Sequence, residues 1–227
     1  MLRALFEKMG NAAYISHLDL MRVFQRAFKR AGLPLTHTKG YNPRPSVSIA
    51  LPLSLGVESI CELLDFELET DGFSCEEIKN RLNSNLTEGV RVLEVYSSGA
   101  KLKHLAYLSC ELILEYDRGI STVEISHIRE LFTLPELIVE KKGKNGMTEQ
   151  NIIPMIREIG MESINANEVC LKCLICCQNP TLNPAQLVAA VENICRSCVL
   201  ILYGFAAKKY IIPIKNYFDK EKRTWKN

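Results

Sequence analysis

The strongest constraint is the order in which hydrophobic periodicity changes over the first 95 residues. Leu2, Ala4 and Phe6 alternate with polar residues, the period of a half-buried strand. From Leu20 the apolar positions recur every three or four residues (Phe24, Ala27, Ala31, with Met21 and Phe28), the period of a helix. Ser16 followed by Asp19 has the form of a helix-starting cap, and Gly32 with Pro34 marks the stop. Alternation returns at Val47, Ile49 and Leu51, and again over Glu62–Glu69, where Leu64, Phe66 and Leu68 face Asp65, Glu67 and Glu69. This second run predicts a strand with one wet face. Ser74 opens a helix to about Leu86, and Val90–Val95 closes the set as a strand. The order β-α-β-β-α-β is that of a ferredoxin-like unit, an antiparallel sheet with both helices on one face.

The remainder repeats the plan less sharply. Leu105–Tyr116 reads as a strand, Val123–Phe132 as a helix and Glu136–Lys141 as a strand before a charged glycine loop. Ile152–Ile159 is ambiguous. Val169–Cys177 reads as a strand, and Asn183-Pro184 opens a helix to about Cys195. Val199–Tyr203 and Tyr210–Ile214 read as strands. The expected fold is therefore α+β with two tandem ferredoxin-like units, residues 1–99 and 100–215, followed by a frayed basic tail over 216–227. No apolar run approaches the roughly 18 residues of a membrane span. The N-terminal segment is too short and too charged for a secretory signal, so a cytoplasmic protein without a membrane is expected.

Charge is spread unevenly. Residues 1–50 carry eight Lys or Arg against two acids, residues 51–99 three against ten, and residues 207–227 seven against two. A net charge of +2 thus hides two basic regions, a distribution compatible with a polyanion site. Arg22, Arg26 and Arg30 follow at four-residue spacing on the first helix, with Lys29 beside them. Guanidinium forks match phosphate oxygens bidentately, so a phosphodiester backbone is a natural ligand for such a row. The following loop, Lys39-Gly40-Tyr41-Asn42-Pro43-Arg44-Pro45, joins a proline-stiffened backbone to an aromatic ring for base stacking and to further cations. Arg22, Arg26, Arg30, Lys39, Tyr41 and Arg44 are the candidate RNA-binding or anion-binding set. The plainer alternatives are a solvated helix face and a structural turn in which Tyr41 covers the core. His17 and His37 are candidates for general acid–base cleavage of RNA, which needs only a positioned acid and base. No spacing rule makes this specific, and surface or capping roles are the simpler account of both.

Nine cysteines are many for a chain with no secretory signal, and reduced core thiols are the expectation. Cys173-x2-Cys176 and Cys195-x2-Cys198 fit the spacing of a four-thiolate zinc site. However, the spacers Leu171-Lys172 and Leu174-Ile175 lie in a strand-type run, where residues three apart point to opposite faces. No metal and no cofactor is therefore expected. A phosphate-binding glycine loop, a dinucleotide fingerprint and a nucleophile elbow are all missing from the sequence.

Several of these segments together carry a resemblance. Tyr14-Ile15-Ser16-His17-Leu18-Asp19-Leu20-x-Arg22, Arg26, Arg30-Ala31-Gly32-Leu33-Pro34, Gly40-Tyr41-Asn42-Pro43-Arg44-Pro45, Ser48 and Pro52-Leu53-x-Leu55-Gly56-Val57-Glu58-Ser59 resemble the radical S-adenosylmethionine (SAM)-associated domain of unknown function. Tyr41 stands where that family often has Phe, and Arg44 where it often has His. The resemblance is dense over residues 3–70. It implies a radical SAM protein encoded nearby as partner and a link to RNA modification or translation, with tRNA or rRNA as the RNA. This chain lacks the C-x3-C-x2-C of the radical enzymes, so the cluster would belong to the partner. Three functions follow as expectations: a non-enzymatic RNA-binding accessory module, a metal-independent endoribonuclease using His17 or His37, and a domain that docks on a radical SAM enzyme without RNA.

Overall fold

The computed structural model describes residues 1–51, 53–98, 102, 105–143, 146–178, 180–198, 217–219 and 224–226. Among the described residues it is an α+β structure of antiparallel sheets and four helices, and the chain divides into two units, Met1–His104 and Leu105–Asn227. Among the described residues no helix is long and apolar enough to cross a membrane.

In the first unit the elements run β1 (Leu2–Lys8), a 3-10 turn (Gly10–Tyr14), α1 (His17–Arg30), β2 (Val47–Ile49), β3 (Ser59–Phe66), α2 (Cys75–Asn83) and β4 (Val90–Ser97). The sheet order is β2-β3-β1-β4, and every neighbouring pair is antiparallel. The boundaries of α1 follow from local chemistry. The Ser16 hydroxyl accepts from the Asp19 amide, and the Asp19 carboxylate accepts from that hydroxyl at 2.7 Å. At the far end Gly32 takes φ +66°, where its amide reaches the Lys29 carbonyl and the Leu33 amide reaches that of Phe28. The apolar stripe of α1 sets Phe24 edge-on to Phe6 (4.8 Å between ring centres) and Phe28 against Phe66 (4.9 Å). Leu64, Ile78, Leu82 and Val92 complete this core. The Asn83 side chain fastens α2 to β4 through both the amide and the carbonyl of Val92.

Of the wet face expected over Glu62–Glu69, Glu67 and Glu69 are exposed beyond the end of β3, but the acids within β3 are not. Asp65 is buried and receives a forked ion pair from buried Arg3, its neighbour across the β1–β3 ladder. Glu62 is also buried, opposite Phe6, as are Ser59 and Lys8 nearby. The Lys8 ammonium donates to the Ala13 carbonyl at 3.0 Å, beneath the 3-10 turn. Burial raises the Glu62 carboxyl to about 7, although the Ser59 hydroxyl and the Lys8 charge pull it down. Burial likewise lowers the Lys8 ammonium, which Glu62 partly offsets. The predicted alternation through Leu51 also stops short, because Leu51 adopts φ +46° and cannot continue the strand.

The second unit contains β5 (Tyr107–Glu115), α3 (Thr122–Leu131), β6 (Ile138–Gly143), β7 (Gly146–Asn151), β8 (Ile156–Ser163), β9 (Glu168–Cys176) and α4 (Pro184–Cys198). β5, β9 and β8 form an antiparallel sheet in that order, while β6 and β7 pair as a separate hairpin. Leu108, Cys110, Leu112 and Leu114 alternate inward along β5. Ser121 and Glu124 form a reciprocal capping box at the start of α3. The ambiguous stretch 152–159 is a short 3-10 turn leading into β8. Within the segment expected to fray, β10 (Tyr217–Asp219) and β11 (Thr224–Lys226) pair antiparallel. The strands expected over Val199–Tyr203 and Tyr210–Ile214 lie outside the described residues.

Candidate nucleic-acid interface

The chain leaves α1 at Gly32 and runs beside the continuation of β3. Leu35 bridges Leu68, the Thr36 amide reaches the Glu67 carbonyl, and the Glu69 amide reaches that of Pro34. His37 then bridges Pro45, closing a loop held by Thr38: its amide donates to the Arg44 carbonyl at 2.8 Å, and its hydroxyl accepts from the Arg44 amide at 3.0 Å. Between α1 and this segment lies a groove of about 490 Å³. Its apolar lining comes from Phe28, Leu33, Pro34, Leu35 and Pro45, and its polar lining from Arg22, Gln25, Arg26, Lys29, His37 and Glu69.

Helical geometry decides which cations reach it. At about 100° per residue, Arg26 is rotated roughly 40° from Arg22 and Lys29 roughly 20° the other way, whereas Arg30 is about 80° off. Arg30 accordingly reaches the turn after α2, donating to the Asn85 carbonyl, and does not line the groove. The expected three-arginine row is therefore corrected to Arg22, Arg26 and Lys29, all exposed. Arg22 shares its charge with Asp19, 2.7 Å away. The Ser16 hydroxyl first, and Arg22 next, hold that carboxyl below its ordinary value. Among the described residues Arg22, Arg26, Lys29 and Arg30 form no ion pair with an acid of 58–71.

Lys39, Tyr41 and Arg44 sit on the loop whose stem, His37 and Pro45, lines the groove. All three are exposed, and Tyr41 fully so, which overturns the alternative that it covers the core. The two histidines are not brought together in the groove lining. His37 lines it, with Nδ1 3.9 Å from a Glu69 carboxylate oxygen. His17 opens α1, on the helix face shared with Phe24 and Phe28, and its Nδ1 is enclosed without a hydrogen-bond partner. Sequence reading passed over Glu69 as a wet strand position. It also passed over the apolar floor, because Leu33 and Leu35 carry no periodic signal outside a regular element.

In the second unit Cys173 and Cys176 lie on β9, three residues apart and hence on opposite faces. Cys173 instead faces Cys110 across the β5–β9 ladder, and its hydrogen bond, with burial second, holds the Cys110 thiol well above the ordinary thiol range. Both thiols are unbridged and buried. The side chains of Cys195 and Cys198 lie outside the described residues. Among the described residues no group of three or more His, Cys, Asp or Glu is placed to hold a metal ion.

Residues 1–184 match a family described as uncharacterized protein conserved in bacteria (DUF2344). The chain belongs to that family. The match takes in the whole first unit, groove included, and the second unit as far as the first residue of α4. No curated protein matches the chain.

Proposed function

We propose that this protein is a cytoplasmic, non-enzymatic RNA-binding module that works with a radical SAM protein in RNA modification or translation-related processing. The reading of the fold that goes with it is two tandem ferredoxin-like units. The first unit's strand order and element order support this. In the second, β8-β9-β5 repeats the β2-β3-β1 part of that order, with the β6–β7 hairpin inserted before it. The carrying observation is the α1 groove, where Arg22, Arg26 and Lys29 rim an apolar floor beside a loop that extends Tyr41 into solvent. Cations placed over apolar surface suit a ligand with phosphates and flat bases. Among the described residues no acid of 58–71 pairs with these cations, and only Arg22 shares its charge, with Asp19, so the charge of Arg26 and Lys29 is available to an anion.

The partner is the radical SAM protein implied by the resemblance over residues 3–70. Tyr14, Leu18 and Leu55, more than three-fifths exposed at the head of α1 and on the loop before Gly56, are the proposed contact with it. The test is filter binding of tRNA and rRNA fragments to the full chain. Arg22→Glu combined with Arg26→Glu should abolish retention, and unchanged retention would remove the reading.

The endoribonuclease alternative now rests on His37 with Glu69, since His17 does not line the groove. Cleavage of labelled RNA in EDTA between about pH 6 and 8, lost in His37→Ala, would favour it over the binding role. Recovery of the complex with the radical SAM protein in a nuclease-insensitive form, free of nucleic acid, would favour docking without RNA.

A further inference from the structure

The groove contains one group that a site built only for phosphates would not carry. Glu69 is the one acid in its lining, alongside Arg22, Arg26 and Lys29. A carboxylate beside a phosphate site repels the ligand, so its presence there calls for a positive role. The nearest ring nitrogen, His37 Nδ1, is 3.9 Å away, too far for a hydrogen bond. Among the described residues no hydrogen bond ends on the Glu69 carboxylate, and the side chain is more than half exposed. An ionised carboxylate is an acceptor only, with two oxygens side by side. The partner it fits is a pair of adjacent N–H donors lying in one plane.

Among unpaired RNA bases, guanine alone presents that pair on its Watson–Crick edge, as N1–H beside the N2 amino group. Adenine and cytosine offer one exocyclic amino group flanked by an acceptor, and uracil offers one ring N–H flanked by two acceptors. The rest of the groove suits the same ligand. Its volume of about 490 Å³ lies in the range of small-molecule sites, and Pro34 and Pro45, the apolar lining residues that are not buried, offer surface to a flat ring. Arg22 and Arg26 supply forks for the flanking phosphates. We infer that the α1 groove is a pocket for one unpaired guanosine of a single-stranded RNA, with Glu69 reading the base edge and the arginines holding the backbone. This inference rests on the RNA-binding reading and adds base selection to it.

The test uses the full-length protein and oligouridylates carrying one central guanosine, adenosine or cytidine, with plain oligouridylate as reference, read by fluorescence anisotropy. The guanosine oligonucleotide should bind about tenfold more tightly than the other three, the scale of one good two-point base contact. Glu69→Ala should erase that preference while leaving the affinity for oligouridylate equal or higher, because a repelling charge has gone. His37→Ala should keep the preference, which separates base reading from a role of Glu69 as the partner of His37. Equal affinity for all four oligonucleotides, or a guanosine preference that survives Glu69→Ala, overturns the inference while RNA binding stands. Failure to bind any of the four overturns both.

Discussion

Glu62 should make the first unit less stable as the solution turns from acid to neutral, and glutamine should remove that dependence. Its buried carboxyl has a folded-state value of about 7 against an ordinary 4.5, chiefly because burial disfavours the charge. Below about pH 4.5 the group is protonated in both states and imposes no penalty. Between 4.5 and about 7 the unfolded chain ionises while the folded one keeps its proton, so stability falls through this window. Above about 7 both states are ionised and the loss is complete. At about 1.4 kcal/mol per pH unit, the total is about 3 kcal/mol. Urea unfolding followed by circular dichroism should therefore place Glu62→Gln level with the parent near pH 4. Near pH 8 it should be more stable by roughly 3 kcal/mol, a figure that already contains the pull of Lys8 on the ionised form. Lys8 is present in both proteins, so its own titration cancels to first order. A difference between the two proteins that is the same at both pH values would refute the reasoning.

Two further substitutions probe the same unit. Asp65→Ala leaves the buried Arg3 guanidinium without its forked partner and should destabilise by about 3–5 kcal/mol, read as a lower urea midpoint at constant slope. Gly89→Ala should cost about 3 kcal/mol. Gly89 has φ +79°, and an added Cβ would stand 2.4 Å from the Met9 carbonyl oxygen, so thermal unfolding of this variant should begin well below that of the parent.

What was legible in the sequence was local. The Ser16 cap, the Gly32 stop and the inward stripe of α1 depend on residues within one or two turns of each other, and all appear in the structure. The faces of β3 were not legible, because Asp65 and Glu62 are compensated by Arg3 and Lys8 of β1, more than fifty residues earlier. β7 was missed for a different reason. Gly146-Met147-Thr148-Glu149-Gln150-Asn151 has no inward apolar alternation and is held as a strand by its ladder to β6. At the candidate site the cationic row was legible, but the departure of Arg30 was not. Four-residue spacing drifts around the helix, and the Asn85 carbonyl that receives Arg30 belongs to the turn after α2. The groove itself needed the segment 33–37 to run beside Leu68 and Glu69, a pairing with no local sequence signature.

In the proposed complex Arg22, Arg26 and Lys29 act on phosphates from one groove. The most direct measurement is the salt dependence of RNA affinity for the parent and for Arg26→Ala, whose exposed side chain is free of ion pairs among the described residues. Log K should fall steeply and linearly with log salt in the parent, with a slope shallower by about one in the variant at reduced affinity. An unchanged slope and affinity after removal of Arg26 would contradict it.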